Sequence, residues 1–132
     1  MSLIDRIKEH EGLRLKPYRC TAGKLTIGYG RNIEDRGINK EEAEYLLVND
    51  IANCKAQVLK EFPWSVGLDN ARREVLIEMC FQLGINRLSL FTKMLRALQA
   101  GNYSKAADEM LDSAWHKQTP KRAETLANIM RG

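Results

Sequence analysis

At 132 residues and 44% apolar content, the chain suits one compact domain with a core of useful size. Its net charge of +4 predisposes it toward polyanions, but no run of Lys or Arg is interleaved with aromatics, which argues against a nucleic-acid binder. Cys20, Cys54 and Cys80 form an odd set without metal-ligand spacing, which fits free thiols in a reducing compartment better than a disulfide framework.

The first residues, MSLIDRIKEHEG, contain no apolar stretch long enough for a signal peptide or a membrane span, so the chain is expected to accumulate in the cytoplasm. Ser2 and Asp5 make a capping-box-like start, and Ile4, Ile7 and Glu11 recur at helical spacing, which predicts a helix over 2–11 with Glu11 on its buried face. A carboxyl group on the apolar side of a helix has its ionised form disfavoured by desolvation and keeps its proton near neutrality, as a general acid must. On spacing alone, Glu11 reads first as the carboxylate that closes the helix and pairs with an arginine.

A hairpin follows. Leu13, Leu15 and Tyr18 lead into a turn at Thr21–Lys24, and Leu25, Ile27 and Tyr29 form the return strand. Cys20 falls at the tip and Thr26 on the return strand, while Gly28 and Gly30 flank Tyr29, as glycines do where a ligand or another backbone approaches closely. Asn39 and Glu42 then cap a long helix over about 39–62 carrying Ala43, Leu46, Leu47, Ile51, Cys54, Val58 and Phe62, which Pro63 stops.

The second half reads as helical throughout. Ala71, Val75, Leu76, Met79, Cys80 and Leu83 form a stripe ending at Gly84, with Cys80 in the core. A helix over Arg87–Gln99 turns Leu88, Phe91, Leu95 and Leu98 inward and ends at Gly101. Asn102 caps the next, with Ala106, Ala107 and Met110, and Thr119 with Pro120 opens a last helix through Met130. Trp64 and Trp115 read as packing residues, and Arg14 and Arg31 as surface residues. There are no repeats, low-complexity segments or linkers.

Glu11, eight residues, Cys20, five residues, Thr26, within EGLRLKPY and TIGYG, resembles the catalytic motif of the phage-type lysozymes, the endolysin muramidases of glycoside hydrolase family 24. The resemblance resumes in LDNARREVLIEMCFQLG, LFTKMLRALQAGNY and SAWHKQTPKRAE and covers nearly the whole chain. It implies a mostly helical α+β fold of lysozyme type, a single domain of 1–132. A small lobe with the hairpin over about 12–38 is joined by the helix at 39–62 to a helical lobe of about 64–132 that includes the N-terminal helix 2–11, with the substrate cleft between the lobes. GRNIEDRGINKEE passes almost directly into the long helix, so the small lobe is expected to be reduced relative to larger members.

The resemblance also implies the chemistry: hydrolysis of the β-1,4 bond between N-acetylmuramic acid and N-acetylglucosamine in bacterial peptidoglycan, without a cofactor or metal. Glu11 is then the general acid, Cys20 stands where most members carry Asp, and Thr26 orients water. A thiol serves only as the thiolate, so Cys20 is a base for water, a nucleophile toward the anomeric carbon, or a bystander beside Thr26. Gly30, Asn32, Phe81 and Gln82 match substrate-binding positions, Phe81 reading equally as core. Arg122 matches an arginine that reaches toward the acid. A separate membrane-permeabilising protein, a holin, is the implied partner for release from the host bacterial cytoplasm, and a monomer is expected. Two other readings stay open: a cysteine amidase or peptidase pairing Cys20 with His10 or with His116 in a loop, and a wall-binding domain without activity.

Overall fold

Ser2 accepts a hydrogen bond from the Asp5 N–H (3.1 Å) and so starts helix α1 (Leu3–Glu11), which stops at Gly12 with φ of 71°. This computed structural model describes all residues, Met1–Gly132. Strands β1 (Arg14–Arg19), β2 (Leu25–Gly28) and β3 (Arg31–Asn32) form one antiparallel sheet in that order, with Thr26 on the central strand opposite both Tyr18 and Asn32. The register of β1 on β2 is irregular between Arg14 and Tyr18.

β3 and the short helix α2 (Ile33–Arg36) lie in the stretch expected to pass straight into the long helix. Asn32 starts α2 by accepting from the Asp35 N–H (3.0 Å), and Gly37 ends it. Tyr29, expected on the return strand, lies in the turn between β2 and β3. Arg31, expected on the surface, is half-buried and bridges both oxygens of Glu42 while donating to the Gly37 carbonyl (3.3 Å), so it ties the sheet to the start of helix α3 (Lys40–Glu61). Asn39 and Glu42 exchange the reciprocal bonds of a capping box there (2.8 and 2.9 Å).

Two units, Met1–Leu46 and Leu47–Gly132, divide the chain, the boundary falling inside α3. The sequence reading groups α1 with the helical lobe; the packing groups it with the sheet.

In the Leu47–Gly132 unit, a short 3₁₀ turn at Pro63–Gly67 leads to α4 (Asn70–Leu83), α5 (Ile85–Ser89), α6 (Thr92–Gln99), α7 (Tyr103–Leu111), α8 (Ala114–Gln118) and α9 (Pro120–Arg131). Leu76, Met79, Leu88, Met94, Leu98, Met110 and Met130 are the large side chains at its centre, and Cys80 and Trp115 are buried with them. The expected Arg87–Gln99 helix is two, α5 and α6, because Phe91 leaves helical backbone (ψ 56°). His116, expected in a loop, is in α8, which Ser113 caps (3.2 Å). Thr119 precedes Pro120 as expected but gives no side-chain cap; its hydroxyl donates instead to the Trp115 carbonyl (3.1 Å).

Arg72 closes this unit. Its guanidinium donates to the Met130 carbonyl (2.7 Å) and the Arg131 carbonyl (3.2 Å) at the end of α9, pairs with Asp69 (3.0 Å), and stacks 3.7 Å over Tyr103. No helix is long and apolar enough to cross a membrane.

Candidate active site

Glu11 is the last residue of α1, and its carboxylate lies directly against Gly30 in the turn between β2 and β3. A Cβ at Gly30 would collide with the Glu11 carboxylate, and φ of 75° there disfavours any side chain, so glycine is what lets the acid rest on this turn. Beside it Lys8 sits 5.4 Å over the ring of Tyr29. The expected burial of Glu11 is not found: no residue of α1 is buried, and Ile4 on the same face is 65% exposed. The helical period is as read, but a period names a face and not what covers it.

Cys20 follows β1 directly, at the mouth of the hairpin turn. Its N–H donates to the Lys24 carbonyl (2.9 Å) and its carbonyl accepts from the Gly23 N–H (2.8 Å), which fixes the turn on both sides of the thiol. The sulfur is held below the ordinary thiol range, first by the backbone N–H of Lys24, then by that of Ala22, with the Thr26 hydroxyl adding to both.

Thr26 is 2% exposed, and its hydroxyl donates to the same Lys24 carbonyl at 2.9 Å. A hydroxyl has one proton, and Thr26 gives its own to the Lys24 oxygen. The structure thus brings Cys20 and Thr26 together around one carbonyl. Outside them, Glu34 of α2 accepts from the Leu25 N–H (3.3 Å) and pairs with Arg19 and Lys24 (3.5 Å each), bracing the turn from its other side. Sequence reasoning missed this brace; its signal is the Asn32–Asp35 capping pair, which places Glu34 in the first turn of a helix.

The remaining positions divide between the two units. Asn32 spends its amide on Asp35, accepting from the N–H and donating to Oδ2 (3.0 Å each). Phe81 is 41% exposed, so the alternative that placed it in the core does not hold, and it lines a groove of about 610 Å³ with Leu47, Ile51, Ile77, Glu78 and Arg122. Gln82 accepts from the Trp115 indole N–H (2.9 Å) and donates to the Thr119 hydroxyl (3.5 Å). Arg122 pairs with Glu78 (2.8 Å), a partner the sequence reading did not name. Both ring nitrogens of His116 face acceptors, Nδ1 the Leu111 carbonyl (2.8 Å) and Nε2 the Glu124 carboxylate (3.2 Å). No group of side chains has the make-up of a metal site.

A family model described as phage lysozyme matches residues 8–131, a span that includes Glu11, Cys20 and Thr26. The chain belongs to the phage lysozyme family. Relatives of this family member include an endolysin of Acyrthosiphon pisum secondary endosymbiont phage 1, 36% identical over 95% of this chain and 86% of its own length. A probable T4-type lysozyme 1 of Dictyostelium discoideum is 27% identical over 98% of this chain and 93% of its own length. The pre-baseplate central spike protein Gp5 of Enterobacteria phage T4 is 30% identical over 98% of this chain, which spans 28% of that protein. The α+β, mostly helical architecture is that of the lysozyme type expected from the motif.

Proposed function

We propose that this lysozyme-family peptidoglycan hydrolase cleaves the β-1,4 bond between N-acetylmuramic acid and N-acetylglucosamine. In this reading Glu11 protonates the leaving glycosidic oxygen, and Cys20 as thiolate takes a proton from a water that the Thr26 hydroxyl orients. The observation that carries it is that Cys20 and Thr26 meet at one Lys24 carbonyl, which accepts from the Cys20 N–H and the Thr26 hydroxyl at 2.9 Å each, in a turn that lowers the Cys20 thiol below its ordinary range. A thiolate so held stands ready for the role a carboxylate fills at this position elsewhere in the family. A direct attack of the same sulfur on the anomeric carbon uses the same donors and differs in leaving a covalent intermediate.

Phe81 offers an exposed ring to a sugar face, and Gln82 and Asn32, each with one amide proton and one oxygen lone pair left over, are the candidates to bond N-acetyl groups. Gly30 supplies the wall on which the acid rests. A histidine-assisted peptidase draws no support from His116, whose two ring nitrogens are already engaged. The monomeric state and the membrane-permeabilising partner for release belong to the same reading.

Reducing ends released from purified peptidoglycan by the wild type and by Glu11→Gln, at equal concentration, test it. Release by the wild type and a loss of at least about 100-fold in the variant is the expected result. New amino termini without reducing ends would replace the glycosidase by an amidase, and neither product would leave a binding domain.

A further inference from the structure

Cys54 and Cys80 stand on α3 and α4, within the Leu47–Gly132 unit. Cys80 is 2% exposed and belongs to the apolar core, and Cys54, half-buried, packs against that core. One turn along α3 from Cys54, Gln57 takes the Cys80 thiol, with Sγ 3.6 Å from Oε1. Residues three apart share a helix face, so the face of α3 that meets Cys80 through Gln57 also carries Cys54, which packs on the core to which Cys80 belongs. As thiols they contribute what two small apolar side chains would. On facing helix surfaces they are also the two halves of a disulfide.

We propose that Cys54 and Cys80 are a dithiol that closes to a disulfide joining α3 to α4 when the protein meets a disulfide oxidant such as oxidised glutathione. Cys54 is the accessible member and reacts first: its thiolate attacks one sulfur of the oxidant, the oxidant's S–S bond breaks, one glutathione leaves as thiolate, and a mixed disulfide remains on Cys54. Cys80, on losing its proton, attacks the Cys54 sulfur and displaces the second glutathione. The two thiols give up two electrons and two protons, and the oxidant takes up both as two glutathione thiols. Burial, and then the neighbouring Cys54 sulfur, push the Cys80 thiol up to about 11, so the second step is slow at neutral pH and quickens as pH rises.

The closed bond encloses about 26 residues and fixes the half of α3 that otherwise holds to the core through Val58 and Phe62. Its effect is a rise in Tm on the order of 5–10 °C, reversed by dithiothreitol. Cys20 lies in the other unit and takes no part.

The full chain, incubated in glutathione buffers from reducing to oxidising and then denatured, alkylated and mapped by mass spectrometry, tests this. The expected result is a monomer with a Cys54–Cys80 linked peptide, a Tm rise that dithiothreitol abolishes, and the loss of both in Cys54→Ser. Three thiols still open to alkylation, a glutathione that stays on Cys54, or a link found only in dimers on a non-reducing gel would each overturn it. The thiol inventory is read without reference to hydrolysis, so it stands or falls apart from the glycosidase reading.

Discussion

The Lys24 carbonyl accepts from the Cys20 N–H and from the Thr26 hydroxyl, each at 2.9 Å, so one backbone atom sets the spacing of the two side chains that flank it. If the Thr26 proton helps to hold the Cys20 thiolate, Cys20 alkylates with iodoacetamide at a midpoint pH below that of an ordinary thiol, and Thr26→Val moves the midpoint upward while Thr26→Ser keeps it low. Peptide mapping reads Cys20 apart from the other thiols, and an identical midpoint in all three proteins would remove Thr26 from this role. With Cys20 as base, Cys20→Ala lowers turnover by at least about 100-fold. The sequence carried the side chains of this arrangement, as the Glu11, Cys20 and Thr26 spacing shows. It could not carry the donors that hold the sulfur, because they are backbone N–H groups of a turn and leave no mark in the choice of side chain.

Arg72 shows how a short helical element is held by a single side chain. It sits at the start of α4, yet two of its bonds go to the last carbonyls of α9, where unpaired C=O groups and the negative end of the helix dipole meet a cation. The stack on Tyr103 of α7 adds a third element. Arg72→Ala is therefore expected to cost about 2–3 kcal/mol in a denaturant melt, and Arg72→Lys to recover little, since an ammonium cannot make the forked bonds and the planar stack at once. A cost near zero would show that water replaces these bonds freely. Elements of this kind were only partly legible. The caps at Ser2, Asn39 and Asn102 and the stop at Pro63 were readable, because each is a local transaction between neighbouring residues. The break at Phe91 was not, because apolar spacing runs unchanged across it. Of the apolar period along α3, Ala43, Leu46, Leu47 and Ile51 are exposed while Val58 and Phe62 further along the chain are buried, a difference set by tertiary partners.

Across the whole molecule, titratable groups of opposite tendency set a pH range for stability. Asp69 is held below the usual carboxylate range first by the Arg72 side chain, and Glu42 by the Arg31 side chain and the Asn39 N–H. Near pH 4 the unfolded chain therefore binds more protons at these sites than the folded one, so their contribution is complete above the unfolded values of about 4 and is lost as pH falls through the lower folded values. Cys80 runs the other way. Its thiol is raised to about 11, so the neutral form that folding favours is fully available below the ordinary thiol value of about 8.5, and its contribution is lost as pH rises from there toward 11. The Tm, measured in reducing buffer, is accordingly expected to be level between about pH 5 and 8 and to fall at both ends. Because Asp69 and Glu42 lie in different units and share no partner, their effects should add. Asp69→Asn and Glu42→Gln each start from a lower Tm at neutrality and each flatten the acid limb, and Cys80→Ala flattens the alkaline limb alone. An acid limb as steep in the double variant as in the wild type would mean that the carboxylates responsible lie elsewhere.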